Sequence, residues 1–350
     1  MKTYKNLYRK ICDKDYIRDV LIEASSNKPY KAVVEKNLTT IVERAYTNLV
    51  NETVEMLPTQ SKVVHDRKKD RNITLSRFFP NKTYDYLLVS QLKPIIEKSM
   101  YYYCVGNVKG RGLDKCLSYV KEAVKHYSYC WQGDIKKFYE SIDKEILYHQ
   151  VERRVSDKAF MNFYGKVVGR KGKGISLGLN SSQWLSNFHL QEFDYYVKQV
   201  LKVQCYIRYV DNIWIFENNI RKVHYYYKMI RKFLWEKLKL QLKGNYQILN
   251  IDKGDEIDCV GYRVTRQFTR LNKDSLYKIA RLYWRMKDHS KRRARTIISL
   301  YGWLKRSTNY VRYLYTKLIS KVGISLDEIK QLTRRKNLCK TLEQSLIANS

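Results

Sequence analysis

Apolar residues recur at helical spacing from Asn6 to about Leu57, in stretches such as YIRDVLIEA and LTTIVERAYTNLVNETVEML, and predict an amino-terminal block of helices. The basic run from Val63 to Tyr86 breaks that period. Its centre reads as two short strands or a loop turning at DRKKDR. LLVSQLKPIIEKSM restores a helix, and GNVKGRG marks a glycine turn feeding another through KEAVKHY. The middle of the chain changes character. YSYCWQGDI and CYIRYVDNIWIF are short aromatic and β-branched runs, each ending or centring on an aspartate, as paired strands that carry a site should look. DKEILYHQVERRV and SSQWLSNFHLQEFDYYVKQVL, between them, are helical in period, and IDCVGYRV predicts a further strand. Beyond it the chain turns helical and intensely basic, in LYKIARLYWRMKDHSKRRARTIISLYGWLKR.

Only 4 Pro and 14 Gly punctuate 350 residues, so the modules are expected to pack into one multi-lobed body without flexible linkers. Charge sharpens the picture. Lys+Arg number 68 against 34 for Asp+Glu, a formal balance of +34 that points to a polyanionic partner. With 31 Tyr among the aromatics, cations for phosphates are joined by rings on which bases stack, which favours nucleic acid over an anionic membrane surface. The 7 Cys are scattered with no CxxC pair, so they read as reduced thiols, and no His stands at zinc spacing from another His or Cys. No run of about 18 apolar residues occurs, so a soluble, cytoplasmic protein with no membrane partner is expected.

The two strand aspartates suggest a chemistry. Nucleotidyl transfer uses two magnesium ions roughly 4 Å apart, and such hard cations take oxygen ligands, so carboxylates on neighbouring strands are required. Asp134 in QGDIKKFYESI and Asp211 in YIRYVDNIWIF meet that need; 211 − 134 = 77 residues separate them, room for the intervening helices and a return to the same sheet.

With its surroundings, this pair resembles the reverse transcriptases, in particular the short prokaryotic ones of diversity-generating retroelements and of phage-defence and abortive-infection groups, over roughly residues 65–315. The resemblance implies an α+β right-hand polymerase: an N-terminal and fingers region over 1–120, an antiparallel, RRM-like palm over 121–265, and a helical basic thumb over 266–350, in which SKRRART lines the duplex and Trp303 belongs to the core. It implies RNA-directed DNA synthesis from dNTPs on an RNA template, with two Mg²⁺ ions, which Mn²⁺ can replace, held by Asp134, the Ile135 backbone carbonyl and Asp211. DIKKFYESID is similar to the first catalytic motif, where Tyr139 lies beneath the incoming sugar. GKGISLGLNSSQ looks like the second, with Leu177, Gly178, Ser182 and Gln183 around the template base and nascent pair. Lys69 and Arg71 of KKDRNI are placed on the triphosphate, Lys243 or Lys239 as proton donor to pyrophosphate, and Gly261 and Tyr262 along the primer. A structured noncoding RNA and an accessory protein or second polymerase are implied as partners.

Three departures matter. YVDN carries Asn212 where the family has a second Asp, so one negative charge beside the metals is missing and slower magnesium chemistry, or a shift toward manganese, is expected. Ser176 replaces the usual proline, while the aliphatic Leu177 matches enzymes of modest fidelity. NKTYDY replaces the usual helix start after the finger strands. Together they tilt the expected role toward antiphage defence over sequence diversification, with a non-catalytic RNA-binding scaffold and a template-independent terminal transferase as rivals.

Overall fold

The computed structural model describes residues 3–66, 69–244, 247–277, 281 and 302–308. The expected thumb helices and SKRRART therefore lie outside the described residues. The described chain runs α1 (Leu7–Ile11), α2 (Lys14–Ser25), α3 (Lys31–Val50), β1 (Gln60–Asp66), β2 (Lys69–Leu75), α4 (Thr83–Ser99), α5 (Gly112–His126) and β3 (Tyr129–Asp134). It continues through α6 (Phe138–Ser141), α7 (Lys144–Glu152), α8 (Lys158–Val168), α9 (Asn180–His189), α10 (Gln191–Tyr195), β4 (Cys205–Tyr209), β5 (Asn212–Glu217) and α11 (Ile220–Leu238). Four short strands follow: β6 (Gln247–Asn250), β7 (Ile257–Cys259), β8 (Tyr262–Val264) and β9 (Thr269–Leu271). The class is α+β, with antiparallel pairings in the sheets. No helix among the described residues is long and apolar enough to cross a membrane.

The chain divides into two compact units. The first comprises residues 1–110, 133–213 and 224–246. Asp13 caps α2 through the Tyr16 amide at 2.7 Å, and α2 buries Ile17, Leu21 and Ser25, one residue per turn, against α3. The helical reading to Leu57 runs too far. α3 stops at Val50 because Asn51 and Glu52 turn out of the helix, Glu52 at φ 54°, and Thr53 N–H closes the end on the Asn48 carbonyl. The two short strands are present: β1 and β2 pair antiparallel from Gln60↔Leu75 to Asp66↔Lys69. α4 buries Leu87, Leu88, Leu92, Ile95 and Ile96 and packs on α8 and α9, around an aromatic core that includes Tyr84, Phe160 and Phe163.

The second unit comprises residues 111–132, 214–223 and 247–350. In it, Tyr129–Gln132 of β3 pair antiparallel with β6, and α5 buries Cys116, Leu117, Val120 and Val124 while packing on β7 of the β7-β8-β9 sheet. The thiols of Cys116 and Cys259 meet there at 3.6 Å without a disulfide, and the hydrogen bond they share, with burial, pushes the Cys259 thiol well up. Trp303 is not a core residue. It is 37% exposed, the neighbouring Leu304 is buried in its place, and the Trp303 carbonyl accepts a 2.8 Å hydrogen bond from Tyr262.

Candidate active site

β3 and β5 are neighbours in a sheet of order β4-β5-β3-β6. The last two residues of β3 and the first two of β5 belong to the first unit, so Asp134, at the end of β3, and Asp211, just before β5, lie at the same end of adjacent strands. Everything that follows about this end concerns that one unit.

β3 is a strand because Cys130 and Trp131 are buried, and it ends where Lys137 takes a left-handed conformation and α6 begins. Beyond Asp134 the backbone stays paired. Lys136 N–H donates to the Gln241 carbonyl at 2.7 Å and Lys243 N–H to the Asp134 carbonyl at 2.8 Å, with Ile135 opposite Leu242. In a pair bonded this way the central residue's own N–H and C=O point away from the partner strand, so the Ile135 carbonyl is not used by it. The same pairing aims Lys243, whose ammonium is ion-paired with Asp134 Oδ2. The other oxygen, Oδ1, is buried and has no hydrogen-bond partner. A buried carboxylate oxygen without a donor is costly, and a divalent cation is the ligand that such an oxygen accepts. Half-buried carboxylates at one strand end, with a backbone carbonyl beside them, therefore fit an oxygen-liganded metal site. Lys239, the alternative to Lys243, is exposed at the end of α11.

Asp211 rides on a two-residue hairpin turn, and the turn is strained: Val210, a β-branched residue, sits at φ 57°. A buried polar network holds it there. Arg208, fully buried in β4, donates from Nη1 to the Val210 carbonyl at 2.8 Å and to Asn187 Oδ1 at 3.1 Å. Its other two nitrogens grip Asp194 at 2.7 and 2.6 Å, and the Tyr206 hydroxyl donates to the same carboxylate at 2.6 Å. Burial opposes the guanidinium charge, but the surrounding groups, Asp194 first, outweigh it and push the Arg208 pKa further up. Asn187 completes the frame by donating to the Gly106 carbonyl at 2.9 Å. Gly106 must be glycine, since a Cβ there would stand 2.7 Å from the Val210 amide nitrogen. Sequence reasoning missed Arg208, Asp194, Asn187 and Gly106. The available signal was an arginine inside the apolar strand CYIRY and an aspartate on the apolar helix LQEFD. Asn212 takes a different part from the aspartate it replaces: its amide nitrogen donates to Asp211 Oδ1 at 3.3 Å, where a second carboxylate would repel.

The glycine loop joins this end to β2. Gly174 and Ile175 N–H donate to the Ile142 and Tyr139 carbonyls, and Tyr139 is half-buried with its ring 5.5 Å from Phe138. Thr74 N–H of β2 donates to the Leu177 carbonyl at 2.7 Å. Gly178, at φ 116°, comes so close that a Cβ would lie 2.7 Å from the Thr74 carbonyl oxygen. α9 then starts on Asp85 of α4, whose buried carboxylate accepts from Asn180 and Ser181 N–H; burial pushes its pKa up. Leu177 is half-buried and Gln183 exposed, whereas Ser182 is buried with its hydroxyl donating to the Ser176 carbonyl. Lys69 and Arg71 are placed on β2 opposite Asp66 and Val64. In the second unit, Gly261 occupies the β7–β8 turn at φ 92° and Tyr262 is buried. Among the described residues no cluster of three or more His, Cys, Asp or Glu could hold a metal.

Residues 65–245 match the family model for reverse transcriptase (RNA-dependent DNA polymerase). No curated protein matches the chain. Among solved structures, telomerase from Candida albicans in complex with a TWJ fragment of telomeric RNA is similar at 12% identity and a TM-score of 0.48, over 83% of this chain and 59% of that one. Telomerase from Candida tropicalis with the same kind of RNA fragment is similar at 11% identity and a TM-score of 0.48, over 88% of this chain and 68% of the other.

Proposed function

The chain belongs to the reverse transcriptase family, and from that premise we propose that it is an RNA-directed DNA polymerase whose reaction centre is the strand end carrying Asp134 and Asp211. The observation that carries the reading is the pairing of two half-buried carboxylates at one end of adjacent strands, one of them with a buried oxygen that no protein donor satisfies. Two magnesium ions held by Asp134, Asp211 and the Ile135 carbonyl would activate a primer 3′ hydroxyl and neutralise the departing pyrophosphate. Arg208 keeps Asp211 in register by holding the Val210 carbonyl. Lys243, once released from Asp134, carries an N–H toward the pyrophosphate. Tyr139 lies under the sugar, Leu177, Gly178 and Gln183 against the template base and nascent pair, and Lys69 and Arg71 on the triphosphate. The Gly261 turn follows the primer. Fingers over 1–120, palm over 121–265 and thumb over 266–350 complete the hand.

The balance of +34 supports a dedicated structured RNA as partner. The departures at Asn212, Ser176 and NKTYDY favour a defence role in a prokaryotic cytoplasm; Leu177 is the residue that favours diversification instead. Primer extension on defined RNA and DNA templates, in magnesium or manganese, tests the activity. Template-directed product that disappears in Asp134→Ala and in Asp211→Ala is expected, and Asn212→Asp should raise the magnesium rate relative to manganese. Extension that survives either alanine would sink the assignment of the carboxylates. Absence of product with every template and metal would favour the scaffold.

A further inference from the structure

Tyr227, Arg231 and Trp235 follow one another at successive turns of α11, with Lys228, Lys232 and Glu236 in the next row. These two rows and the segment after the helix line a cavity of 520 Å³, inside the size range of small-ligand sites. The adjoining face of α11 is committed to packing: Ile230, Leu234 and Leu238 are fully buried. Trp235 is 52% exposed, which is unusual for the largest apolar side chain on a helix that already has a buried face. Three cations meet one carboxylate in this groove, and no ion pair to Lys228, Arg231 or Lys232 forms among the described residues. Leu240, Gln241 and Leu242 close the groove beyond the helix, and Lys243, the next residue, is ion-paired with Asp134 instead of lining it.

We propose that this groove is a second nucleic-acid site, taking an unpaired nucleotide of a single strand with its base on Trp235 and its phosphates on Arg231, Lys228 and Lys232. Single strands are bound by this combination, because every base offers a face to an aromatic ring and every phosphate a charge to a cation. A duplex keeps its bases stacked on one another and cannot use the ring. The inference goes beyond the polymerase reading and does not need it, since neither Asp134 nor Asp211 takes part.

The test uses the full chain without nucleotide or divalent metal, so that failure of the catalytic reading leaves it untouched. Short unstructured oligouridine RNA containing 4-thiouridine, and the equivalent thymidine DNA, are crosslinked to the protein and mapped by mass spectrometry, and their affinities are measured at physiological salt. Crosslinks on Tyr227 or Trp235 are expected with one or both strands, lost in the Arg231→Ala/Lys232→Ala protein. Affinity at this site falls about tenfold in Trp235→Ala, the scale of one lost stacking contact, and is restored in Trp235→Phe. Trp235 is exposed, so its truncation leaves the melting temperature in place; a variant that melts early is replaced by Trp235→Phe and Trp235→Leu, which differ in stacking and not in bulk. Crosslinks confined to other segments with affinity unchanged in Trp235→Ala overturn the proposal, as does equal Trp235 dependence for a duplex or for polyglutamate.

Discussion

Two hairpin turns solve opposite problems. The β4–β5 hairpin carries Asp211 and is locked from below: Tyr206, Ile207 and Arg208 are buried, and Arg208, Asp194 and Asn187 fix the strained Val210 turn by hydrogen bonds of 2.6 to 3.1 Å. Among the described residues the β1–β2 hairpin shows no such floor. Val63, Val64 and Leu75 are 45, 39 and 48% exposed, and the hairpin meets the glycine loop through Thr74. On the proposed function, Asp211 would have to hold a metal closely, and that needs the first kind of support. A strand pair that, on the same proposal, only contacts the triphosphate can do with the second. α9 links them, since its start follows the loop against β2 and its Asn187 reaches Arg208.

The sharpest way to break the comparison is to remove the floor. Arg208→Ala leaves Asp194 buried without its counter-charge, a loss of about 3–5 kcal/mol of stability, and it frees the Val210 carbonyl. Primer extension should collapse with it. The double replacement Arg208→Met/Asp194→Leu separates the two effects, because a well-packed apolar pair restores much of the stability while the turn remains without its donor. Its melting temperature should approach that of the parent while kcat stays low and the KM for dNTP changes little. Recovery of kcat along with stability would reduce the network to ordinary packing.

A milder perturbation acts on α9 itself. His189 is fully buried, its Nδ1 2.7 Å from Gln150 Oε1, and burial pushes its pKa down from 6.5 to about 4. Below pH 6.5 the unfolded chain takes up a proton that the folded chain refuses until about pH 4. This contribution is therefore whole above pH 6.5 and is lost as pH falls toward 4, to a limit of about 3 kcal/mol at roughly 1.4 kcal/mol per pH unit. Urea unfolding at stepped pH should show that slope, and His189→Gln should flatten it.

These two regions also differ in how much of them can be read from the chain. That Asp134 and Asp211 come to one end of adjacent strands is legible because each closes or interrupts a short aromatic, β-branched run, and DRKKDR reads as a turn because charged residues interrupt two β-branched runs. The Arg208–Asp194 pair is not legible. An arginine inside an apolar strand looks like a solvent-facing position until a helix 14 residues upstream is known to place a carboxylate beside it. The end of α3 was misjudged for a local reason: TVEML keeps helical spacing, and the stop comes from the backbone of Asn51 and Glu52, which periodicity does not register. Trp303 shows the converse, an aromatic assigned to the core by type whose neighbour Leu304 occupies that place.

The smallest effect is expected where the glycine loop meets the β1–β2 hairpin, and it says most about whether the hairpins act separately. Gly178→Ala asks an L residue to hold φ 116° with its Cβ 2.7 Å from the Thr74 carbonyl. Neither demand can be met, and the cost is on the order of 1–3 kcal/mol, relieved by moving the loop off β2. The hydrogen bond from Thr74 N–H to the Leu177 carbonyl goes with it. α9 keeps its start, because Asp85 rather than the loop receives the Asn180 and Ser181 N–H groups, so Asn187 and Arg208 stay where they are. Steady-state extension should then show a several-fold rise in the KM for dNTP with kcat nearly kept, the reverse of Arg208→Ala. A fall in kcat at unchanged KM would mean that the loop transmits its displacement along α9 to the Val210 turn, and that the two hairpins are one device.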